Sequence, residues 1–202
     1  MAGGYRRTAG PRLQVPGYPG GVGGDAELIQ IVDAALAEAA RKAGSWLACR
    51  PGCFECCIGP FAINQLDAAR LRRGLVELAA SDPRRAGRVR RRARKAAGRM
   101  TRDYPGNTPA RVLAEDGAAE NVPCPALDPE TGTCDLYAAR PLTCRTFGPP
   151  VRCASGALAI CELCFQGASE EEIERCVVEL DAEVLAEVEG ADAELTVASA
   201  LA

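Results

Sequence analysis

Four of the chain's cysteines fall within nine residues, in the stretch CRPGCFECC at 49–57, and the last two are adjacent. Thiols packed this densely are reactive, so a fold that contains them has to use them as disulfides, as a nucleophile or as metal ligands. Ten of the eleven cysteines form three groups along the sequence, namely Cys49/Cys53/Cys56/Cys57, Cys124/Cys134/Cys144 and Cys153/Cys161/Cys164. The role of these sulfurs therefore constrains the fold more than any other feature of the sequence.

The cellular compartment decides between disulfides and a metal. The start of the chain lacks the apolar core of a signal peptide, and nowhere do about 18 apolar residues run together as a membrane span requires. We therefore expect a cytoplasmic protein without a membrane segment, in which clustered cysteines indicate metal binding or catalysis before disulfides. Disulfides are also disfavoured because the number of cysteines is odd and because adjacent residues such as Cys56 and Cys57 cannot readily bridge each other.

The sequence contains no histidine, which removes several classes of site. Cys-His and Ser-His catalytic pairs are excluded, and so is a mixed Cys/His zinc site. Any metal has to be held by sulfur, with an occasional carboxylate. No catalytic constellation is recognisable, so we expect a protein that is not itself an enzyme, with an accessory role in redox or methyl-transfer chemistry left open.

Apolar periodicity predicts a mainly α fold with small irregular β elements, in which cysteine-rich loops join the helices of a single metal-centred domain. Helices are predicted over 26–43, 65–82, 83–102 and 170–189, with N-caps at Asp25, Asn64, Asp82 and Ser169. Turn residues predict a turn over Asp128 to Gly132 and a small hairpin around Ser155 and Gly156. The residues predicted to face inward are Leu28, Ile31, Val32, Leu36, Ala39, Leu66, Leu71, Leu75, Leu78, Ile173, Val177, Leu180, Val184 and Val188.

Three segments follow from composition and pattern. Residues 1–24 are rich in glycine and proline and are predicted to be a disordered arm. Residues 25–190 are predicted to form the metal-binding domain, and residues 191–202 a flexible tail.

The spacing of the cysteines favours metal ligation. Two-residue gaps, as in Cys53-x2-Cys56 and Cys161-x2-Cys164, let both thiolates reach one ion while the backbone turns between them. Several thiolates around one ion leave a negative charge, which Arg50, Arg140 and Arg145 could offset from positions near cysteines in the sequence. The eleventh cysteine, Cys176, lies in a helical apolar stripe and is predicted to be a core residue.

Two linked motifs resemble the YkgJ-type cysteine-cluster proteins, which carry a zinc- or iron-chelating CxxCxxCC domain. The first motif is the stretch 49–57, and the second is CPALDPETGTCDLYAARPLTCRTFG at 124–148. The resemblance covers residues 45–164, and the sequence departs from it in placing three residues between Cys49 and Cys53. The spacing Cys49-x3-Cys53-x2-Cys56 also matches radical S-adenosylmethionine enzymes, but Phe54 comes one place early and no strand-helix repeat follows.

The resemblance implies specific roles. The ligands it implies are Cys49, Cys53, Cys56, Cys57, Cys124, Cys134 and Cys144, to which the spacing adds Cys153, Cys161 and Cys164 as candidates. Tyr137, Arg140, Pro141, Arg145 and Phe147 are signature positions expected to support the site from outside the metal. Flagellin lysine methylases carry a similar domain, but this chain has no room for a clear additional catalytic domain.

Two interpretations of the metal remain in contention. The clustered cysteines favour an iron–sulfur cluster, most simply [4Fe–4S], in redox or metal-handling chemistry with a protein partner not identified by the sequence. The alternative is structural zinc in a domain that binds protein or nucleic acid. Residues 84–102 contain ten basic residues and no acid, which allows a nucleic-acid surface, but a solvated helix face balanced by the acids of 170–194 is the preferred interpretation.

Overall fold

The computed structural model describes residues 25–59, 62–103, 121–181, 184 and 195–202. Its α-helices are α1 (Asp25–Ala43), α2 (Gln65–Ser81), α3 (Pro83–Asp103), α4 (Leu142–Arg145), α5 (Glu170–Glu174) and α6 (Val197–Leu201). Its strands are β1 (Ala62–Ile63), β2 (Leu127–Asp128), β3 (Thr133–Cys134), β4 (Val151–Arg152), β5 (Leu158–Ala159) and β6 (Leu195–Thr196). Short 3-10 turns cover Gly44–Trp46, Glu55–Cys57 and Tyr137–Ala139. The fold is mainly α with small irregular β elements, as predicted.

The strands form three two-stranded antiparallel sheets within the described ranges. β2 and β3 make a hairpin in which Leu127 is paired with Cys134, and the predicted turn closes when Gly132 N–H donates to Asp128 C=O at 2.9 Å. β4 and β5 make the second predicted hairpin around Gly156. β1 pairs with β6, which joins the segment after the first cysteine group to the end of the chain.

The long helices begin and end close to their predicted limits because their caps form. Asn64 Oδ1 accepts from Asp67 N–H at 2.8 Å at the start of α2, and Asp82 Oδ1 accepts from Arg85 N–H at 2.9 Å at the start of α3. The stripe predicted for α1 is buried or half-buried throughout. In α2 the prediction is wrong for Leu66, which is exposed, because the buried face also takes in the polar residues Asp67 and Arg70.

Three apolar clusters surround the cysteine-bearing loops. α2, α3 and α6 pack on one another around Leu71, Leu75 and Val89, and Cys124 and Cys134 lie against this first cluster. α1 packs on α4 and β4 in a second cluster. The third cluster contains Cys164, Phe165 and Cys176, so Cys176 is the core residue that was predicted. Cys124 and Cys134 therefore pack against one apolar cluster, and Cys161 and Cys164 against another.

The last predicted helix is wrong for residues 175–181, whereas residues 170–174 and residue 184 are helical. The Ser169/Glu172 capping box forms, but α5 ends at Glu174, and the chain then turns so that Val178 makes a parallel bridge to Val151. Val178 N–H donates to Pro150 C=O at 2.8 Å, and Arg152 N–H donates to Val178 C=O at 3.0 Å. This pairing beside β4 outweighs the helical spacing of the same apolar residues. Residues 182–183 and 185–190 lie outside the described residues.

The predicted flexible tail is also wrong for its last eight residues. β6 pairs with β1, and α6 buries Val197, Ala198, Ala200 and Leu201 against α2 and α3. A capping box between Thr196 and Ser199 starts α6. Residues 191–194 and the predicted disordered arm 1–24 lie outside the described residues.

The basic helix α3 does not turn all its charge to solvent. Arg85 Nε and Arg92 Nη2 both donate to the fully buried carboxylate of Asp135, next to Cys134, and Arg92 Nε donates to Pro125 C=O at 2.8 Å. These contacts hold α3 on the β2–β3 hairpin. None of the helices in the described ranges combines the length and apolar character that a bilayer crossing needs.

Candidate metal centre

The stretch 49–57 is folded by local turns that bring its sulfurs to one side. Cys53 N–H donates to Arg50 C=O at 2.9 Å, and Cys57 N–H donates to Phe54 C=O at 2.7 Å. The stretch thus forms turns and no long helix or strand, and its four cysteines line a cleft of about 540 Å³. Eight predicted ligands line that cleft, namely Cys49, Cys53, Cys56, Cys57, Cys124, Cys134, Cys144 and Cys161.

Backbone pairing brings the second cysteine group to the first. Cys124 N–H donates to Cys57 C=O at 2.7 Å, and Ile58 forms an antiparallel bridge with Pro123. The β2–β3 hairpin then carries Cys134 to the same place, and α4 carries Cys144. Cys56, Cys57, Cys124, Cys134 and Cys144 are called the inner group below.

The inner thiols are shifted in pKa by burial and by one another. Burial raises the pKa of the Cys124 thiol to about 12, and burial followed by neighbouring thiols raises the pKa of Cys144. A hydrogen bond from the Cys57 thiol, together with a backbone N–H and the charge of Arg140, lowers the pKa of Cys56 to about 7 despite burial. The same bond raises the pKa of the donor, Cys57. Cys56 is therefore the inner sulfur most ready to lose its proton at neutral pH.

The three remaining cleft thiols, Cys49, Cys53 and Cys161, form a second set together with Cys164, which is buried behind them and is not among the residues that line the cleft. Cys49 and Cys53 lie on one turn, and Cys161 and Cys164 lie on another turn in which Cys164 N–H donates to Cys161 C=O at 2.9 Å. Burial and then the Cys164 thiol raise the pKa of Cys49 to about 12, and burial and then Cys164 and Cys53 raise the pKa of Cys161. These four residues are called the outer group below. Cys153 lies apart in the β4–β5 hairpin and is not among the described residues that line the cleft.

The two predicted supporting arginines have different surroundings. Arg145 is buried, and its Nη1 donates to the Asp33 carboxylate at 2.6 and 2.7 Å while Nη2 donates to Ala138 C=O at 2.8 Å. It therefore ties α1 to the turn before α4, which carries Cys144. Arg140 lies over the ring of Tyr137 at 3.9 Å. Its charge adds to the hydrogen bond from Cys57 in lowering the pKa of Cys56, and it offsets part of the rise that burial causes in the pKa of Cys134.

Arg140 also carries an unused donor. Within the described part of the chain its Nε is buried and has no hydrogen-bond partner, and the residue lines the cleft beside the inner thiols. A buried donor without an acceptor is costly, and an anionic group at the thiols would satisfy it. The donor set and this arginine together fit a metal centre that carries net negative charge.

The thiols line the cleft without closing on a single point. In the described ranges no three thiol or carboxylate side chains stand at the spacing that one metal ion requires. Binding would therefore draw the sulfurs together from separate turns, with the loops between them taking up the movement.

The sequence alone missed the charged residues that hold the cysteine loops. Asp67 accepts from Leu142 N–H at 3.0 Å and so links α2 to α4, while Asp135 links β3 to α3. In the sequence, Asp67 stands only as an acidic residue in the first turn of α2, where acids are common. The sequence did contain a signal for Asp135. This acidic residue stands between Cys134 and the apolar Leu136, and the same chain contains a strongly basic helix with which a buried acid could pair.

Comparison with known proteins agrees with the donor set. No curated protein and no solved structure matches the chain. A family model matches residues 48–164, which is more than half of the sequence and includes both thiol groups. The chain thus belongs to the CxxCxxCC family, whose domain is described as a "Putative zinc- or iron-chelating domain".

Proposed function

We propose that the protein holds an iron–sulfur cluster, [4Fe–4S] in the simplest case, and serves in redox or metal-handling chemistry. The inner group carries this proposal, because five thiols from three chain segments lie on one cleft. A cubane cluster takes four cysteine ligands, so the inner group supplies the full set with one thiol in reserve. When bound, the cluster would supply one-electron transfer or a source of iron and sulfide.

The protein's own groups suit that role. Arg140 would donate from its unused Nε and offset the charge of the thiolates, and Arg145 would hold the Cys144 segment in place. Because burial raises the pKa of Cys124 and of Cys144, these thiols are protonated in the metal-free protein at neutral pH. Loading would therefore release protons and become more favourable as pH rises.

A protein partner is part of the proposal. Tyr137 and Phe147 line the cleft and are 65% and 42% exposed. Exposed aromatic side chains beside a redox site are the kind of surface that a partner protein contacts. Electron or cluster transfer would then take place across this side of the molecule.

The second candidate is a structural-zinc domain that mediates protein or nucleic-acid interaction. The outer group favours it, because two short turns with two cysteines each are typical of structural zinc ligation.

Metal analysis separates the two candidates. Anaerobic purification followed by iron, zinc and acid-labile sulfide determination, with a visible spectrum, should give iron and sulfide in equal amounts and a brown protein. The double variant Cys134→Ser/Cys144→Ser should lower the iron content severalfold because it leaves only three inner thiols, whereas the control Cys153→Ser, outside the cleft, should leave it unchanged. A colourless protein with stoichiometric zinc and no labile sulfide would refute the cluster proposal and leave the zinc domain.

A further inference from the structure

We infer that the exposed face of α3 binds an acidic helix of a partner protein. The contact is made by four cations, Arg84, Arg88, Arg91 and Lys95, which are called the basic stripe below. None of these residues is among those that line the thiol-lined cleft. The stripe is thus a surface separate from the metal centre, and its partner does not depend on which metal is bound.

The basic stripe is one straight row along the helix. Its members follow one another at intervals of four, three and four residues, which at 3.6 residues per turn places them within a sector of about 60°. All four side chains are exposed, whereas Ala86, Val89 and Ala93 on the opposite side of α3 are buried in the first apolar cluster. The row is therefore about 16 Å long and stands on a helix whose other side is fixed in the core.

The stripe lacks counter-charges among the described residues. Other cations of α3 have acidic partners, since Arg85 and Arg92 both donate to Asp135. Arg99 Nε donates to Asp103 at 3.2 Å. No described acid forms an ion pair with a residue of the stripe. Like charges three and four residues apart on a helix repel one another, so a bound anionic partner would relieve repulsion that the free protein carries.

The chemistry of α3 favours a protein over a nucleic acid or a membrane. The helix contains no aromatic residue to stack on bases and no asparagine or glutamine to read adenine, so its cations alone would have to hold a nucleic acid. The large apolar side chains that are exposed in the described ranges all lie outside α3, which leaves the helix nothing to insert among lipid tails. Arginine pairs well with carboxylates, because its guanidinium can donate two parallel hydrogen bonds to one carboxylate.

The spacing of the stripe selects a helical partner. Successive cations of the stripe are about 4.5 or 6 Å apart along the axis, and a second helix with glutamates at the same intervals has the same rise. Residues on one face of an extended strand recur about every 6.6 Å, so a strand would drift about 3 Å out of register over four cations. A helix with one glutamate per turn keeps all four pairs in register.

The complex is expected to form quickly and to be transient. Exposed ion pairs each contribute little free energy and are screened by salt, and a contact along one helix face is small. Complementary charge nevertheless raises the association rate. Because α3 also holds the β2–β3 hairpin through Asp135, the partner would be bound on the helix that supports the Cys134 segment.

A synthetic helix tests the inference on the full-length protein. The probe is a fluorescein-labelled, alanine-based helical peptide whose four glutamates follow the intervals of the basic stripe, called the matched peptide. The comparison peptide has the same composition with its glutamates spread around the helix. In fluorescence anisotropy at low salt, the matched peptide should bind at least about fivefold more tightly than the comparison peptide, and its binding should weaken as salt rises.

Two variants locate the contact on α3. Arg91→Glu should weaken binding of the matched peptide by at least about fivefold. Arg94 is also exposed but lies about 90° around the helix from the stripe, so Arg94→Glu should weaken binding by less than about twofold. Both substitutions change the net charge equally, and neither should alter the circular dichroism spectrum or the metal content.

Several results would overturn the inference. They are equal weakening by the two variants, equal binding of the two peptides to the wild type, or undetectable binding of the matched peptide at low salt. Labelled DNA, RNA or anionic vesicles that bind more tightly than the matched peptide, and that are lost with Arg91→Glu, would also overturn it. A protein that contains zinc without sulfide and still binds the matched peptide through Arg91 would refute the cluster proposal and leave this inference standing.

Discussion

At the scale of single residues, Cys56 and Arg140 carry most of the chemistry of the inner group. Cys56 has the only lowered pKa among the described thiols for which a shift is resolved, and the positive charge of Arg140 is one of its causes. The thiolate is the reactive and ligating form of cysteine. Cys56 is therefore the sulfur expected to engage an incoming metal first.

This ordering predicts the pattern of thiol alkylation. In reduced, metal-free protein, Cys56 should react with iodoacetamide faster than the other inner thiols, with a rate that rises through about pH 7 because its thiolate forms there. Arg140→Gln should move that rise to higher pH, since a stabilising charge is lost. The measurement is mass-spectrometric labelling against pH, with Arg50→Gln, another arginine of the cleft, as control. A profile unaffected by Arg140→Gln would contradict the assignment.

Arg145 should act through structure and not through the metal alone. Arg145→Ala leaves the Asp33 carboxylate and two backbone carbonyls without their donor, which should cost about 1–3 kcal/mol of unfolding free energy. Metal content should fall in parallel because the Cys144 segment loosens. Denaturant unfolding and metal analysis check both effects, and Arg145→Lys should restore only part of each because it cannot reproduce the several-pronged contact. Unchanged stability and metal content would show that the arginine serves another purpose.

At the scale of elements, the cysteine loops depend on how closely the helices behind them can approach. α2 presents Gly74 to the turn at Tyr137–Ala139, and a Cβ placed on Gly74 would overlap the Cβ of Ala139. Ala139 is buried between α2 and the loop that carries Arg140. A glycine is therefore required for packing, although glycine lowers helix propensity.

Two glycine substitutions should have opposite effects. Gly74→Ala should destabilise the protein by about 1–3 kcal/mol, because neither Cβ can move without shifting backbone. Gly98→Ala, in α3 with open space around the site, should stabilise it by about 0.5–1 kcal/mol through helix propensity. Chemical denaturation of the metal-loaded proteins gives both values. Equal effects of the two substitutions would show that α2 does not pack as described.

The basic helix α3 is expected to support the hairpin and not to bind nucleic acid. Arg85 and Arg92 are already engaged by Asp135, which reduces the charge available for phosphate. In fluorescence anisotropy, labelled DNA and RNA oligonucleotides should bind no more tightly than in the weak non-specific range, with a dissociation constant of roughly 10⁻⁴ M or above at physiological salt. Tighter binding that weakens steeply with salt, and that is lost when Arg88 and Arg91 are replaced, would reverse this view.

At the scale of the whole molecule, the buried apolar residues of the described ranges fall into three separate clusters, and the thiols pack against two of them. The chain has nine aromatic residues in 202, so large apolar side chains contribute little to joining the clusters. Metal ligation by the inner group would connect the 49–57 loop to the β2–β3 hairpin and to α4. Much of the ordering energy is then expected to come from the metal.

Removal of metal should therefore unfold part of the chain. A reduced, chelator-treated sample should lose its cooperative thermal transition or melt at a much lower temperature, because structural zinc alone contributes about 10–16 kcal/mol in small domains. Calorimetry and circular dichroism before and after reloading give the comparison. A cooperative melt that is unchanged by chelation would contradict this account.

The sequence by itself determined the mainly α fold, the limits of the first three helices and the presence of a sulfur-lined site. Those features depend on local causes: apolar spacing along α1, the Asn64 and Asp82 caps, and cysteines separated by turn-length gaps. Membership in the CxxCxxCC family likewise follows from motifs within the chain. Local signals of this kind do not depend on which segments meet in space.

Only the tertiary structure decided which cysteines lie close together and which segments with helical apolar spacing do not form helices. The division of 49–57 between two thiol groups results from contacts with Cys124 on one side and Cys164 on the other, and neither is encoded in the spacing of the stretch itself. Val178 is not helical because it pairs with Val151 beside β4. Residues 195–201 are ordered because β6 pairs with β1 and α6 packs against α2. Long-range pairing and burial outweigh local propensity, since they contribute several times more free energy per residue than propensity does.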